Sequence, residues 1–197
     1  VNVPVEKTDS RTEKELLRER HLARRPPHSP PHYDSGRRWY LISAACYEHA
    51  SHIGRSDARM DDFAAALLDC FGECGSETGA WVVLPNHYHA VVLSERVLDL
   101  LKALGRLHGR TSFLWNGEEQ ARGRKVWCNA AERVLLNDDH HPAALNYVHH
   151  NPVRHGFVEH WTDWRWSSAP AYLEQLGREE AARRWRQFPP DRFEAGS

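Results

Sequence analysis

Two short stretches hold the residue types on which chemistry could be built. In Asn146–Val158, NYVHHNPVRHGFV, Tyr147 and Asn151 stand four residues apart. If the segment before Pro152 is helical, as Ala143, Ala144 and Leu145 suggest, that spacing places phenol and amide on one face. In Leu84–Val92, LPNHYHAVV, His87 and His89 are two residues apart, and on a strand both imidazoles point to the same side. Two imidazoles from one strand and an amide oxygen from a facing helix make a three-ligand site of nitrogen and oxygen type, with exchangeable positions left. A divalent cation in such a site can polarise a phosphate oxygen and stabilise the charge that develops in phosphoryl transfer. A phenol, with an ordinary pKa of about 10, attacks poorly at neutral pH unless a cation or base is close. Attack by Tyr147 on a DNA phosphodiester would store the bond energy in a phosphotyrosine link, to be returned when a 3′-hydroxyl attacks, without ATP.

Neither motif is specific alone. A strand His-x-His is more often structural than metal-binding, and a Tyr/Asn pair at this spacing more often packs and caps. Each raises the other only if the fold brings them together. Tyr88, between the two histidines, should point to the opposite face, into the core. Of the 14 histidines, His149 and His150 are expected to be exposed on the tyrosine helix, and His140, His141 and His155 carry no stronger signal.

The positioning elements follow from the pattern. Trp39–Cys46 reads as a buried strand. Ser56-Asp57 caps a helix carrying Met60, Phe63, Ala64, Leu67, Leu68 and Phe71 at helical spacing. Ala80–Leu84 and His87–Leu93 read as strands joined by Pro85-Asn86, and so tight a connection pairs them antiparallel. Ser94 is expected to cap a helix to about Leu114, followed by a polar loop at Asn116–Arg124. Lys125–Cys128 and Arg133–Leu136 are strand candidates, and the tyrosine helix comes next. This order is α+β, an antiparallel sheet with helices packed on it. A Trp-rich segment and a charged helix, Glu174–Arg186, close the chain. Residues 1–36 read as a basic, Pro-rich arm with a short helix at Glu13–Arg25, residues 37–158 as the catalytic domain, and residues 159–197 as the C-terminal tail.

Composition narrows the field. A chain of 197 residues with 41% hydrophobic content can bury a core. No run approaches the roughly 18 apolar residues of a membrane span, and the first residues do not form a signal peptide, so a soluble, cytoplasmic protein is expected. Cys46, Cys70, Cys74 and Cys128 have neither zinc-ribbon spacing nor the density of a disulfide scaffold. The segment GRLHGRTS is not a phosphate loop, since three residues separate its glycines and no lysine follows, so no nucleotide cofactor is expected. The net charge of -1 hides basic clusters. Arg106 and Arg110 on one helix, with Arg124, Lys125 and Arg154, are candidate DNA contacts, and a solvated face explains the first two equally well. Trp161, Trp164 and Trp166 could stack on unpaired bases, although packing of the tail is the favoured reading.

Three segments, in this order, carry a resemblance. LPNHYHAVV resembles the His-hydrophobic-His strand of the single-tyrosine transposases. Tyr147–Phe157, YVHHNPVRHGF, resembles the tyrosine-helix signature of their REP-associated subgroup, and Asp163–Ser168, DWRWSS, is similar to that subgroup's tail. Together they extend over about Trp39–Leu173, and the chain resembles a REP-associated tyrosine transposase, related to the insertion-sequence-200-type enzymes. The resemblance implies a ferredoxin-like antiparallel sheet, recognition of single-stranded DNA through hairpins, and nicking with strand transfer through a 5′-phosphotyrosine. It makes His87, His89 and Asn151 ligands of Mg²⁺ or Mn²⁺ and Tyr147 the nucleophile, with Asn where insertion-sequence relatives place Gln. It also implies a bacterial, nucleoid-associated monomer acting in cis, a homodimer being the alternative. Two rival readings are a domesticated DNA-binding protein that does not cleave and a metal-dependent phosphodiesterase that works without Tyr147.

Overall fold

A computed structural model describes residues 36–136, 139–190 and 193. Residues 1–35 of the expected arm, with its helix at Glu13–Arg25, lie outside the described residues.

The first strand, β1 (Arg38–Ala45), buries Tyr40, Leu41, Ile42 and Ala44. Helix α1 (Asp57–Glu73) starts where expected: the Ser56 hydroxyl accepts from the Arg59 amide at 3.2 Å, and Met60, Phe63, Ala64, Leu67 and Phe71 form its buried stripe. Strands β2 (Glu77–Val83) and β3 (His87–Ser94) pair antiparallel through the Pro85-Asn86 turn. β2 begins three residues before the expected Ala80, and its register shifts between Thr78 and Ala80, at Gly79. Helix α2 (Val97–Glu118) and strand β4 (Ala131–Val134) complete a β-α-β-β-α-β order. The antiparallel sheet runs β2-β3-β1-β4, the ferredoxin-like arrangement expected. Helix α3 (His140–Arg154), the tyrosine helix, follows, with α4 (Ala169–Leu176) and α5 (Arg178–Gln187) after it.

The sheet has two covered faces. Tyr88 points toward α1 and α2, where its ring meets Phe63, His108 and Trp127 and its hydroxyl lies 3.1 Å from His108 Nε2. His89, one residue on, faces α3 instead. The edge of β2 is covered by the Trp-rich segment: Val83 N donates to Trp166 O and Ser168 N to Trp81 O, which closes an otherwise open row of backbone groups. Trp164 Nε1 donates to Val83 O and Trp166 Nε1 to Asp61, so these indoles pack the tail onto the domain.

Several boundaries differ from the sequence reading. Ser94 ends β3 and its hydroxyl accepts from Arg96 N, so α2 starts at Val97 without a side-chain cap. It also runs on to Glu118, because Trp115 packs against Phe63 and the buried Asn116 amide bonds Arg124 at both its ends. At Lys125–Cys128 there is one bridge, Trp127 to Cys46, since the Trp127 ring is turned into the core. The expected helix Glu174–Arg186 is divided at Gly177, whose φ of 75° breaks the helical path. Among the described residues no helix is long and apolar enough to cross a membrane.

Candidate active site

β3 is interior to the sheet, with His87 opposite Ala45 and His89 opposite both Ser43 and Val82. Strand alternation turns both imidazoles to the face that α3 covers. Their ring centroids are 5.1 Å apart, edge to face, and His89 lies 5.4 Å from the Tyr147 ring. His87 Nε2 is 3.2 Å from Asn151 Oδ1. The strand histidines and the Tyr/Asn face of the helix therefore meet in one place. Asn151 is fully buried and Tyr147 half-buried. Pro152 does not end the helix. It lies in the last turn, and the backbone closes with His155 N donating to Asn151 O, Phe157 N to Pro152 O and Gly156 N to Val153 O, the glycine at φ 72°.

The proton positions can be reasoned from the partners. Asn86 Nδ2 donates to His49 O at 3.0 Å, which puts Asn86 Oδ1 at 2.7 Å from His87 Nδ1. Nδ1 must then carry the proton, leaving a lone pair on Nε2. Burial, opposed in part by the Asn151 contact, lowers the His87 pKa to about 4, and burial with the neighbouring His87 lowers that of His89 to about 3, so both rings are neutral at pH 7. His89 Nδ1 is held 2.6 Å from Ser43 Oγ, leaving Nε2 as its remaining ring nitrogen.

His87 Nε2 and Asn151 Oδ1 thus face each other as two acceptors with no proton between them, while Asn151 Nδ2 is buried without a partner. Turning the amide over would satisfy His87 and leave Oδ1 as the buried orphan instead. Paired acceptors beside a second neutral imidazole are a donor set that fits a divalent cation. Among the described residues no group of three or more His, Cys, Asp or Glu could hold a metal. A cation here would rest on two imidazoles and one amide, and these neutral ligands would leave its charge available to a phosphate.

Other residues fall differently from their sequence reading. His155 is exposed, as expected, yet its ring lies 4.9 Å from that of His87. Its position four residues beyond Asn151 puts it on the same helical face, because α3 runs through Pro152 to Arg154. His149, expected to be exposed, is fully buried: its Nε2 lies 2.8 Å from Ser168 Oγ and its ring against Trp161 and Tyr172, because the tail folds over α3. His150 is half-buried against Trp185, and His141 against Trp39. On its other side Tyr147 meets Phe193 at 5.3 Å. Arg106 and Arg110 are exposed on α2, in the layer on the far face of the sheet from the histidines. Arg124 is tied to Asn116 and Glu119, and Lys125 lies 4.3 Å over the Tyr47 ring. Arg154, exposed at the end of α3, is near enough for its charge to help depress His87 and His89.

No protein-family model matches the chain. It is 29% identical over 119 residues to a Haemophilus influenzae protein named "Putative REP-associated tyrosine transposase", across 55% of this chain and 68% of that one. It is 27% identical over 100 residues to an Escherichia coli "REP-associated tyrosine transposase", across 47% of this chain and 53% of that one. The match thus spans about two thirds of one relative and about half of the other. A solved structure of a REP-associated tyrosine transposase bound to a REP hairpin superposes with a TM-score of 0.57 at 16% identity, covering 71% of this chain and 81% of that one.

Proposed function

We propose that this chain, a homologue of the REP-associated tyrosine transposases, nicks and rejoins single-stranded, hairpin-forming repeat DNA through a 5′-phosphotyrosine at Tyr147. The observation that carries the reading is the convergence of His87 Nε2 on Asn151 Oδ1, with the His89 ring between His87 and Tyr147. The names of its relatives, and the hairpin bound by the structural neighbour, supply the substrate class.

His87, His89 and Asn151 would hold Mg²⁺ or Mn²⁺, which when bound supplies Lewis-acid polarisation of the scissile phosphate. The residues do the rest. The Tyr147 oxygen attacks phosphorus with loss of its phenolic proton, the bond to the 3′-oxygen breaks, and that oxygen takes up a proton so that the leaving strand departs as a 3′-hydroxyl. A second 3′-hydroxyl reverses the exchange, restores the diester and frees the phenol. Because Tyr147 and Asn151 share one helix face, the nucleophile and one ligand keep a fixed separation. His89 packs edge-on against the phenol and limits its rotation. Tyr147 reaches the histidines of its own chain, which favours action in cis by a monomer. Arg154 is the best placed of the candidate basic contacts. Residues 37–158 form the catalytic domain and residues 159–197 the C-terminal tail, whose Trp164 and Trp166 pack onto that domain, and the protein works in the bacterial cytoplasm with the nucleoid.

The test is cleavage of a labelled hairpin oligonucleotide in Mn²⁺ by wild type, Tyr147→Phe and His87→Ala. Cleavage confined to wild type is expected, with a loss of orders of magnitude in both variants and hairpin binding kept by Tyr147→Phe. Hairpin binding by wild type without cleavage would point to a non-cleaving DNA-binding protein. Undiminished cleavage by Tyr147→Phe would point to a phosphodiesterase.

A further inference from the structure

The turn between β2 and β3 holds an asparagine whose side chain is engaged at both ends. Asn86 Nδ2 donates to the His49 carbonyl at 3.0 Å and its Oδ1 lies 2.7 Å from His87 Nδ1. The backbone around it is clamped by the segment after β1: Cys46 N donates to Asn86 O at 2.7 Å and Gly54 N to Pro85 O at 2.9 Å. The approach at Gly54 is so close that a Cβ there would fall 2.4 Å from Pro85 Cβ.

The carbonyl that orients Asn86 comes from a strained turn. Glu48 and His49, consecutive and neither of them glycine, have φ of 54° and 53°. Each such residue costs on the order of 1–3 kcal/mol and persists only where its surroundings hold it. Here the surroundings are Tyr47 N donating to Val126 O, Lys125 over the Tyr47 ring, and the Asn86 amide itself.

We propose that Asn86 is a positioning residue that acts through His87: locked in direction by the His49 carbonyl, its Oδ1 accepts from Nδ1–H and holds the imidazole in the tautomer whose Nε2 lone pair faces Asn151. The alternative tautomer has a plain consequence. With the proton on Nε2, His87 would donate to Asn151 Oδ1, and the imidazole would have no lone pair on that side to offer. Asn86 therefore keeps a lone pair on the His87 nitrogen that faces Asn151. The use made of Nε2 rests on the proposed function, whereas the tautomer does not.

The tautomer can be read in the full chain by long-range ¹H–¹⁵N correlation of ring-labelled histidines, free of cation and at a pH where His87 is neutral. Wild type is expected to show His87 protonated on Nδ1, and Asn86→Ala to move the proton to Nε2. Mn²⁺ titration by paramagnetic resonance should then show affinity lowered by roughly tenfold or more in Asn86→Ala. Asn86→Asp, which keeps an acceptor for Nδ1–H, should retain the wild-type tautomer. A wild-type ring protonated on Nε2, or an Nδ1 proton retained in Asn86→Ala, would overturn the proposal. Should Asn86→Ala fail to fold, the wild-type and Asn86→Asp spectra still decide it. An Nδ1 tautomer together with no DNA cleavage would sink the proposed function and leave the positioning claim intact.

Discussion

Removing one hydroxyl should loosen the tyrosine helix from the sheet. Ser168 Oγ accepts from the Trp81 amide of β2 at 2.9 Å and lies 2.8 Å from His149 Nε2 on α3. In Ser168→Ala both groups lose that partner at a part-buried junction against the fully buried His149, whose Nδ1 already has none. Each buried group left unsatisfied costs about 1–3 kcal/mol, so the total should be about 3 kcal/mol. For a domain in this size range that corresponds to a melting temperature lower by roughly 10 °C. Urea and thermal unfolding followed by circular dichroism would measure it. Adding His149→Phe, which keeps the ring volume and removes its nitrogens, completes a double-mutant cycle with a coupling of about 1 kcal/mol or more. A Ser168→Ala protein within about 0.5 kcal/mol of wild type, or two strictly additive substitutions, would refute the claim that this hydroxyl joins β2 to α3.

Acid should unfold the protein early. His108 and His149 are both buried, which lowers their pKa values to about 4 and about 3. An unfolded histidine takes up a proton below about pH 6.5, so this stability is present above that pH and is lost as pH falls toward the folded values. Each ring should cost on the order of 2 kcal/mol between pH 7 and pH 5; stability by urea titration that is flat over that range would contradict the sign. Gly54→Ala should destabilise by roughly 1–3 kcal/mol, since its Cβ would fall 2.4 Å from Pro85 Cβ and the turn leading into His87 must shift. Gly105→Ala, in α2 with nothing within 4 Å of the added carbon, should instead stabilise by about 0.5–1 kcal/mol. Equal and small effects in the two variants would show that the Gly54 approach is not tight.

The site was legible where local periodicity decides geometry. The two-residue spacing of His87 and His89 sets their common face, the four-residue spacing does the same for Tyr147 and Asn151, and Tyr88 falls in the core for the same reason. What depends on distant segments was not. His149 is buried only because Trp161, Ser168 and Tyr172 fold back over α3, and nothing in the tyrosine helix announces that cover. His155 carries no distinct signal in the sequence, since Pro152 and Gly156 resemble a helix end, although a proline in the last turn forfeits just one backbone bond and α3 continues to Arg154. Arg106 and Arg110 were correctly placed on a helix surface, but a helical pattern shows which face meets water and not which side of the sheet the helix covers. Likewise the Asn116 amide, which extends α2 by holding Arg124, has no local signature.

The central claim is that Tyr147 becomes covalently joined to the 5′ end of the cut strand. The most direct measurement uses hairpin oligonucleotides labelled at either the 3′ or the 5′ end, incubated with the protein in Mn²⁺, with the adduct digested and mapped by mass spectrometry. The account predicts an adduct that retains the 3′ label, release of the 5′-labelled fragment with a free 3′-hydroxyl, phosphorylated nucleotide mass on the peptide containing Tyr147, and no adduct in Tyr147→Phe. An adduct of undiminished yield in Tyr147→Phe, one that carries the 5′ label, or one mapped to another residue would contradict it.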